Sequence, residues 1–221
     1  YTLLYTNIDV FLLTDIYENF RDLSLETYKL DPLWSYTTPG FTWSCMLGKT
    51  GVKLELLTDY DMHLFIEKGL RGGMTQCSVR YSKANNKYMD EKFNKNKKSV
   101  YSQYLDANNL YEWAMSQYLP SGGFKWLYPS IITDILNLDV NSPRGYIFEV
   151  DLTYPQELHD KHSDFPLAPE NQFDGVKLPK LTLNLYYKKE YVVHYITLQE
   201  YIRDCLRVEE IHKILEFDQS S

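Results

Sequence analysis

The chain has 221 residues, enough to bury a real core in one or two domains. An apolar content of 44% and a charged content of 24% are ordinary for a globular protein, and the net charge of −7 argues against a free-standing nucleic-acid binder. No apolar run reaches the roughly 18 residues of a membrane span, so no membrane partner is expected.

Ile8, Leu12, Ile16 and Phe20 recur every four residues, and Phe11, Leu13, Tyr17 and Leu23 widen the stripe. This period predicts a long amphipathic helix from about Thr6 to Tyr28. Asp31-Pro32 and Thr38-Pro39-Gly40 punctuate a loop, with Thr38 placed to cap a short helix through Met46. Thr58 and Asp61 have the spacing of a capping box for a helix that ends at Lys68-Gly69. Residues 74–81 and 87–93 are expected to pair across Lys83–Asn86, and Val100–Asp106 to form a strand. Leu110–Tyr118 reads as a helix stopped by Pro120, and Ile131–Leu138 as a short helix. Tyr146–Leu152 reads as a strand and His159–Pro169 as a polar loop. Leu181–Tyr187 and Tyr191–Tyr195 would form a hairpin around Lys188-Lys189. Thr197 and Glu200 would box a helix through Leu206, and Val208–Phe217 would be the last strand. A leading helix followed by strands, hairpins and short helices predicts an α+β architecture.

Charge is distributed unevenly. Residues 71–98 hold Arg71, Arg80, Lys83, Lys87, Lys92, Lys95, Lys97 and Lys98 against Asp90 and Glu91, a local net of +6. Residues 146–174 carry a local net of −6. A chain of mixed patches can still present one basic face to phosphates. Cys45, Cys77 and Cys205 lack zinc-site spacing and read as reduced core residues of an intracellular protein. His159, Asp160, His162 and Asp164 alternate as metal ligands can, without a further fixed set to complete a site. No secretory leader pattern is seen. The chain starts at Tyr1 inside a structured pattern, which suggests a fragment of a longer protein.

The sharpest chemical signal is Tyr101-Ser-Gln-Tyr-Leu-Asp-Ala-Asn-Asn-Leu-Tyr-Glu-Trp-Ala-Met115. A β-rich run ends at Asp106, turns through Ala107–Asn109, and restarts as a helical pattern at Leu110 and Tyr111. A carboxylate at a strand end beside free backbone N–H groups can hold a metal ion and a polyphosphate. Asp106 would be one metal ligand, the N–H groups of Asn109, Leu110 and Tyr111 phosphate donors, and Tyr111 a ring under the sugar that disfavours a 2′-hydroxyl. The alternative is that Asp106 only caps a turn. Tyr5 and Asp9 share one helix face, where Asp9 could hold a metal and Tyr5 orient a water. Gly72-Gly73 would let backbone approach DNA phosphates beside Arg71, or would form a plain β-turn.

Asp106-Ala-Asn-Asn-Leu-Tyr111, with Tyr104-Leu105 before it and Trp113-Ala-Met-Ser-Gln117 after it, resembles the first palm motif of family B DNA polymerases. The longer string is similar to the protein-primed branch, which includes polymerases of Polinton (Maverick) transposons and related viruses and linear plasmids. Tyr5-Thr-Asn-Ile-Asp9 resembles the third exonuclease motif, and Leu70-Arg-Gly-Gly73 the motif that links exonuclease to palm. Three departures stand out: Leu70 where Tyr is common, Asn109 where Ser is common, and Glu112 where Pro or Gly is usual.

The resemblance implies the C-terminal helix of an RNase H-like 3′–5′ exonuclease domain (1–47), a basic DNA-contact linker (48–98) and the first part of a palm with a variable insertion (99–221). It implies two-metal nucleotidyl transfer with Mg²⁺, Asp106 at the polymerase metals and Asp9 with Tyr5 at the exonuclease. It implies DNA contact by Arg71, Gly72 and Gly73, and nucleotide contact by Asn109, Leu110 and Tyr111. The partners would be template-primer DNA, deoxynucleoside triphosphates and a terminal priming protein. The remaining carboxylates, in a D-x-E string upstream and a D-T-D string downstream, and the fingers lysine would lie outside this sequence. The isolated fragment is therefore expected to be inactive. A second reading is a DNA-binding module descended from such a polymerase that has lost catalysis. A third is an unrelated α+β interaction domain.

Overall fold

The structure, a computed structural model, describes residues 1–173 and 176–221; Asp174, one of the acids in the acidic stretch, lies outside them. The chain is α+β and divides into two compact units, 1–54 and 55–221.

The first unit is helical. Helix α1 spans Thr2–Tyr28 and α2 spans Thr38–Thr50. Lys29 closes α1 in the left-handed region at φ 59°, its N–H donating to Leu25 O. Arg21 then clamps the turn with three bonds to the Asp31 carboxylate, Nε donating to both oxygens at 3.1 Å and Nη2 to Oδ2 at 2.7 Å, and Asp31 Oδ1 accepts from Leu33 N–H. Thr37 caps α2, one residue earlier than expected, by accepting from Gly40 N–H. Phe20 meets Phe41 edge-on at 5.8 Å. The rest of the expected α1 stripe is uncovered: Ile8, Leu12 and Ile16 are all exposed.

The second unit is built on an antiparallel sheet of order β1-β6-β2-β5. Its strands are β1 (Leu119–Leu127), β2 (Arg144–Thr153), β5 (Lys188–His194) and β6 (Arg207–Ser220), and β3 (Glu170–Phe173) pairs separately with β4 (Val176–Thr182). Period-2 alternation in β2 sends Phe148, Val150 and Leu152 to one face, all fully buried. There they pack with Tyr191, Val193 and Ile214 beneath Tyr195 and Leu198 of α5 (Tyr195–Arg203). The opposite face carries Ile147, Val192 and Leu215, covered by Met62 and Phe65 of α3 (Tyr60–Gly69). Asp59, not Thr58, caps α3, its Oδ1 accepting from Asp61 and Met62 N–H.

Several expectations require correction. Val100–Asp106 is not a strand, because no neighbour among the described residues offers a ladder: Val100 forms one isolated bridge with Asn85, and the residues after it are exposed. Residues 74–81 and 87–93 do not pair; Lys87–Lys92 is a 3₁₀ segment capped by Asn86. Ile131–Leu138 is not helical, since the buried Gln199 amide takes the carbonyls of Ile135 and Leu138 at 2.8 Å each. The expected hairpin around Lys188-Lys189 is absent. Lys188 is fully buried and opens β5, which pairs with β2, while β4 pairs with β3. The last helix starts at Tyr195 rather than Thr197, because Tyr195 and Leu198 are drawn into the core. Helix α4 (Leu110–Met115) is shorter than expected, and Pro120 sits inside β1, an edge strand that tolerates it. Only Cys45 of the three cysteines is buried; Cys77 and Cys205 are exposed, and all are free.

Candidate functional site

The palm-like string occupies an open stretch of surface. Asp106 is exposed at the end of a segment without a partner strand. Asn109 takes the left-handed conformation at φ 58°, ψ 37°, and α4 starts at Leu110, where a helix is expected. Leu110 and Tyr111 are both exposed. With its amide oriented to satisfy its neighbour, Asn109 donates to Glu112 Oε1 at 3.0 Å. The Glu112 carboxylate is thus drawn back onto Asn109.

Tyr5 and Asp9 lie one turn apart on α1, both exposed, with Tyr5 stacked on Tyr1 at 6.3 Å. They belong to the first unit and Asp106 to the second.

Leu70-Arg-Gly-Gly73 follows α3 directly. The Arg71 guanidinium is engaged, donating to Val192 O at 2.6 Å and Gly69 O at 3.2 Å and stacking 3.9 Å above the Tyr191 ring. The neighbouring glycines differ in what they face. A Cβ on Gly69 would come within 2.8 Å of Val192 Cγ1, so this glycine lets α3 close on β5. Gly72 and Gly73 would meet nothing within 4 Å, and neither has positive φ. The described fold asks for no glycine at either position.

A cleft of about 620 Å³ opens between α3 and the sheet, lined by Phe65, Lys68, Trp126, Glu149, Glu190, His212 and Lys213 among others. Trp126 packs edge-on to Phe65 at 5.0 Å. Glu149, 6% exposed, takes Lys68 at 2.9 Å and Lys213 at 3.4 Å. A register shift in β6 between the partners of Glu149 and Val150 inserts His212. Asp151 faces Glu210 across the ladder, a like-charge pair that is unfavourable on its own. His212 Nε2 stands 2.9 Å from Asp151 Oδ1, which also accepts from Glu190 N–H at 2.7 Å, while Tyr187 donates to Oδ2 at 2.7 Å. Burial pushes the Asp151 pKa up, but these bonds outweigh it and hold it below the usual carboxylate value. The Asp151 bond raises His212 above the usual histidine value, against its partial burial. The separate bond from the Tyr187 hydroxyl to Asp151 pushes Tyr187 up to about 12.

Asp151, Glu210 and His212 are the only group of three such ligands among the described residues, their atoms all within 4.8 Å of one another. Sequence reasoning missed them, because the inserted residue that aims His212 leaves no mark in β-propensity. Asp106 and Asp9 belong to no such group. One exposed carboxylate does not hold a pair of Mg²⁺ ions, so the described residues do not by themselves fit the two-metal centre. His159 and His162 instead surround Tyr154, whose hydroxyl lies 2.6 Å from His162 Nδ1. No helix among the described residues is long and apolar enough to cross a membrane.

Compared with models of protein families, with curated proteins and with solved structures, the chain matches none.

Proposed function

We propose that residues 1–221 are part of a family B, protein-primed type DNA polymerase that adds deoxynucleotides to a DNA or protein-held 3′ end. The observation that carries this reading is the string Tyr104-Leu-Asp-Ala-Asn-Asn-Leu-Tyr111 with Trp113–Gln117, preceded in the family's order by Tyr5/Asp9 and by Arg71-Gly-Gly73. The helix that starts at Leu110 is compatible with it. So are Gly72 and Gly73, which meet nothing in the described chain and leave room for an outside backbone or phosphate. The uncovered stripe on α1 is the face that the rest of an exonuclease domain would pack against.

In this reading Asp106 supplies one carboxylate of the polymerase centre, and Tyr111 selects the sugar. Asn109 and Leu110 would contact the nucleotide, while Asp9 and Tyr5 serve proofreading. Metal chemistry needs further ligands from outside residues 1–221, so no reaction step is assigned to this chain alone.

The second reading, a polymerase-derived module without catalysis, is motivated by Glu112 and Leu70. The test compares the longer polypeptide containing this chain with its Asp106→Asn and Glu112→Gly forms. Polymerisation that disappears in Asp106→Asn supports the proposal. Activity restored only by Glu112→Gly supports the decayed copy, and activity unaffected by Asp106→Asn refutes both.

A further inference from the structure

We infer that the loop 85–100 is a preformed cradle for single-stranded nucleic acid, with its lysines holding phosphates and flanking tyrosines receiving unpaired bases. The loop is closed at its base, where Asn85 and Val100 exchange two N–H···O bonds of 2.8 Å. It is then stitched from within. Asn85 Nδ2 donates to the carbonyls of Asn94 and Lys98 at 3.1 Å each, and its Oδ1 accepts from Asn94 N–H at 2.9 Å. Asn86, 7% exposed, donates to Val100 O at 3.1 Å. A compact loop held by its own side chains need not be ordered on binding, which lowers the entropic cost of using it.

That backbone displays Lys87, Lys92, Lys95, Lys97 and Lys98, all exposed, against only Asp90 and Glu91. None of the five makes an ion pair among the described residues. Cations on α3 and the sheet of the same unit do: Lys68 with Glu149, Lys125 and Arg144 with Glu216, Lys213 with Glu149. In a chain of net charge −7, a loop that keeps five lysines out of ion pairs among the described residues is suited to a polyanion.

The aromatic residues narrow the polyanion. Tyr88 and Tyr101 are 74% and 59% exposed and meet edge-on at 6.5 Å across the loop, and Lys87 lies 5.1 Å from the Tyr88 ring. Exposed rings beside cations give stacking surfaces for bases that are not already paired. A duplex hides its base faces, and a lipid headgroup has none.

This inference deepens the polymerase reading by naming the form of nucleic acid bound, yet its test is separate, because Asp106 is outside the loop. The experiment is fluorescence anisotropy of residues 1–221 with a labelled oligothymidylate of about twenty nucleotides, titrated across salt. Converting the five lysines to Gln is expected to weaken binding about a hundredfold at low salt and to flatten the salt slope. Tyr88→Ala with Tyr101→Ala is expected to cost about tenfold while leaving that slope in place. The cradle is overturned if the lysine variant binds as the native chain does. It is also overturned if duplex, inorganic polyphosphate or phosphatidylserine vesicles bind as tightly as the oligothymidylate. Failure of strand binding would leave the Asp106 test intact, and an inactive polymerase would leave this one intact.

Discussion

On the sheet and on the helix α3 that covers it, charge is turned inward upon itself, whereas in the loop 85–100 it is turned outward. Glu149 holds two lysines, Glu216 holds Lys125 and Arg144, and Asp151 is closed by Tyr187, Glu190 and His212. The loop has five exposed lysines and a backbone fixed by asparagines rather than by ion pairs. The difference separates charges that shape the fold from charges that are left for something else. Removing a paired, buried charge strands its partner; removing an exposed, unpaired one leaves the fold indifferent.

That contrast can be broken by measurement. The largest loss of stability is expected for Glu170→Gln. Lys188 is fully buried and held by Glu170 at 2.6 Å and by Asn184, and burial already lowers its pKa. Withdrawing the carboxylate should cost about 3 kcal/mol in urea unfolding. Next comes Gly69→Ala, which forces a methyl toward Val192 and should cost about 2 kcal/mol, while Gly72→Ala and Gly73→Ala stay within about 0.5 kcal/mol.

Two histidines then give opposite pH signs. His194, partly buried between the rings of Tyr195 and Phe217, is pushed down by burial to about 4. The unfolded chain takes its proton first, so stability should fall as pH drops from about 6.5 to about 4, and His194→Gln should flatten that limb. His212 is raised by Asp151, with Glu210 and Glu149 also nearby. Its contribution is present below about 6.5 and should be lost as pH rises through its raised pKa, a decline absent in His212→Gln. The smallest effect on stability, within about 0.5 kcal/mol, is expected for the five-lysine variant of the loop. A large loss there would mean that those lysines serve the fold, and the contrast would collapse.

What could be read in the sequence followed from local signals with a single outcome. The long first helix, begun four residues earlier than expected, the alternation of β2, the last strand and the polar loop His159–Pro169 all appear close to where the residues placed them. What could not be read depended on partners. Tyr101–Leu105 has strand-forming residues but no ladder, and Ile131–Leu138 has helical spacing but gives its carbonyls to Gln199. Lys188-Lys189 looked like a turn because two lysines are seldom buried, yet Lys188 is enclosed with Glu170. The same limit applies to the site. Asp106, Tyr111, Asp9 and the glycine pair could be picked out as residues, whereas the cluster of Asp151, Glu210 and His212 exists only through one inserted residue in β6.

The central claim is that Asp106 belongs to a nucleotidyl-transfer centre. Its most direct test is deoxynucleotide incorporation on a primed template with Mg²⁺, comparing the longer polypeptide that contains residues 1–221 with its Asp106→Asn form. The account predicts incorporation by the native polypeptide and a fall of at least about a thousandfold on substitution. Equal incorporation by the two would contradict it.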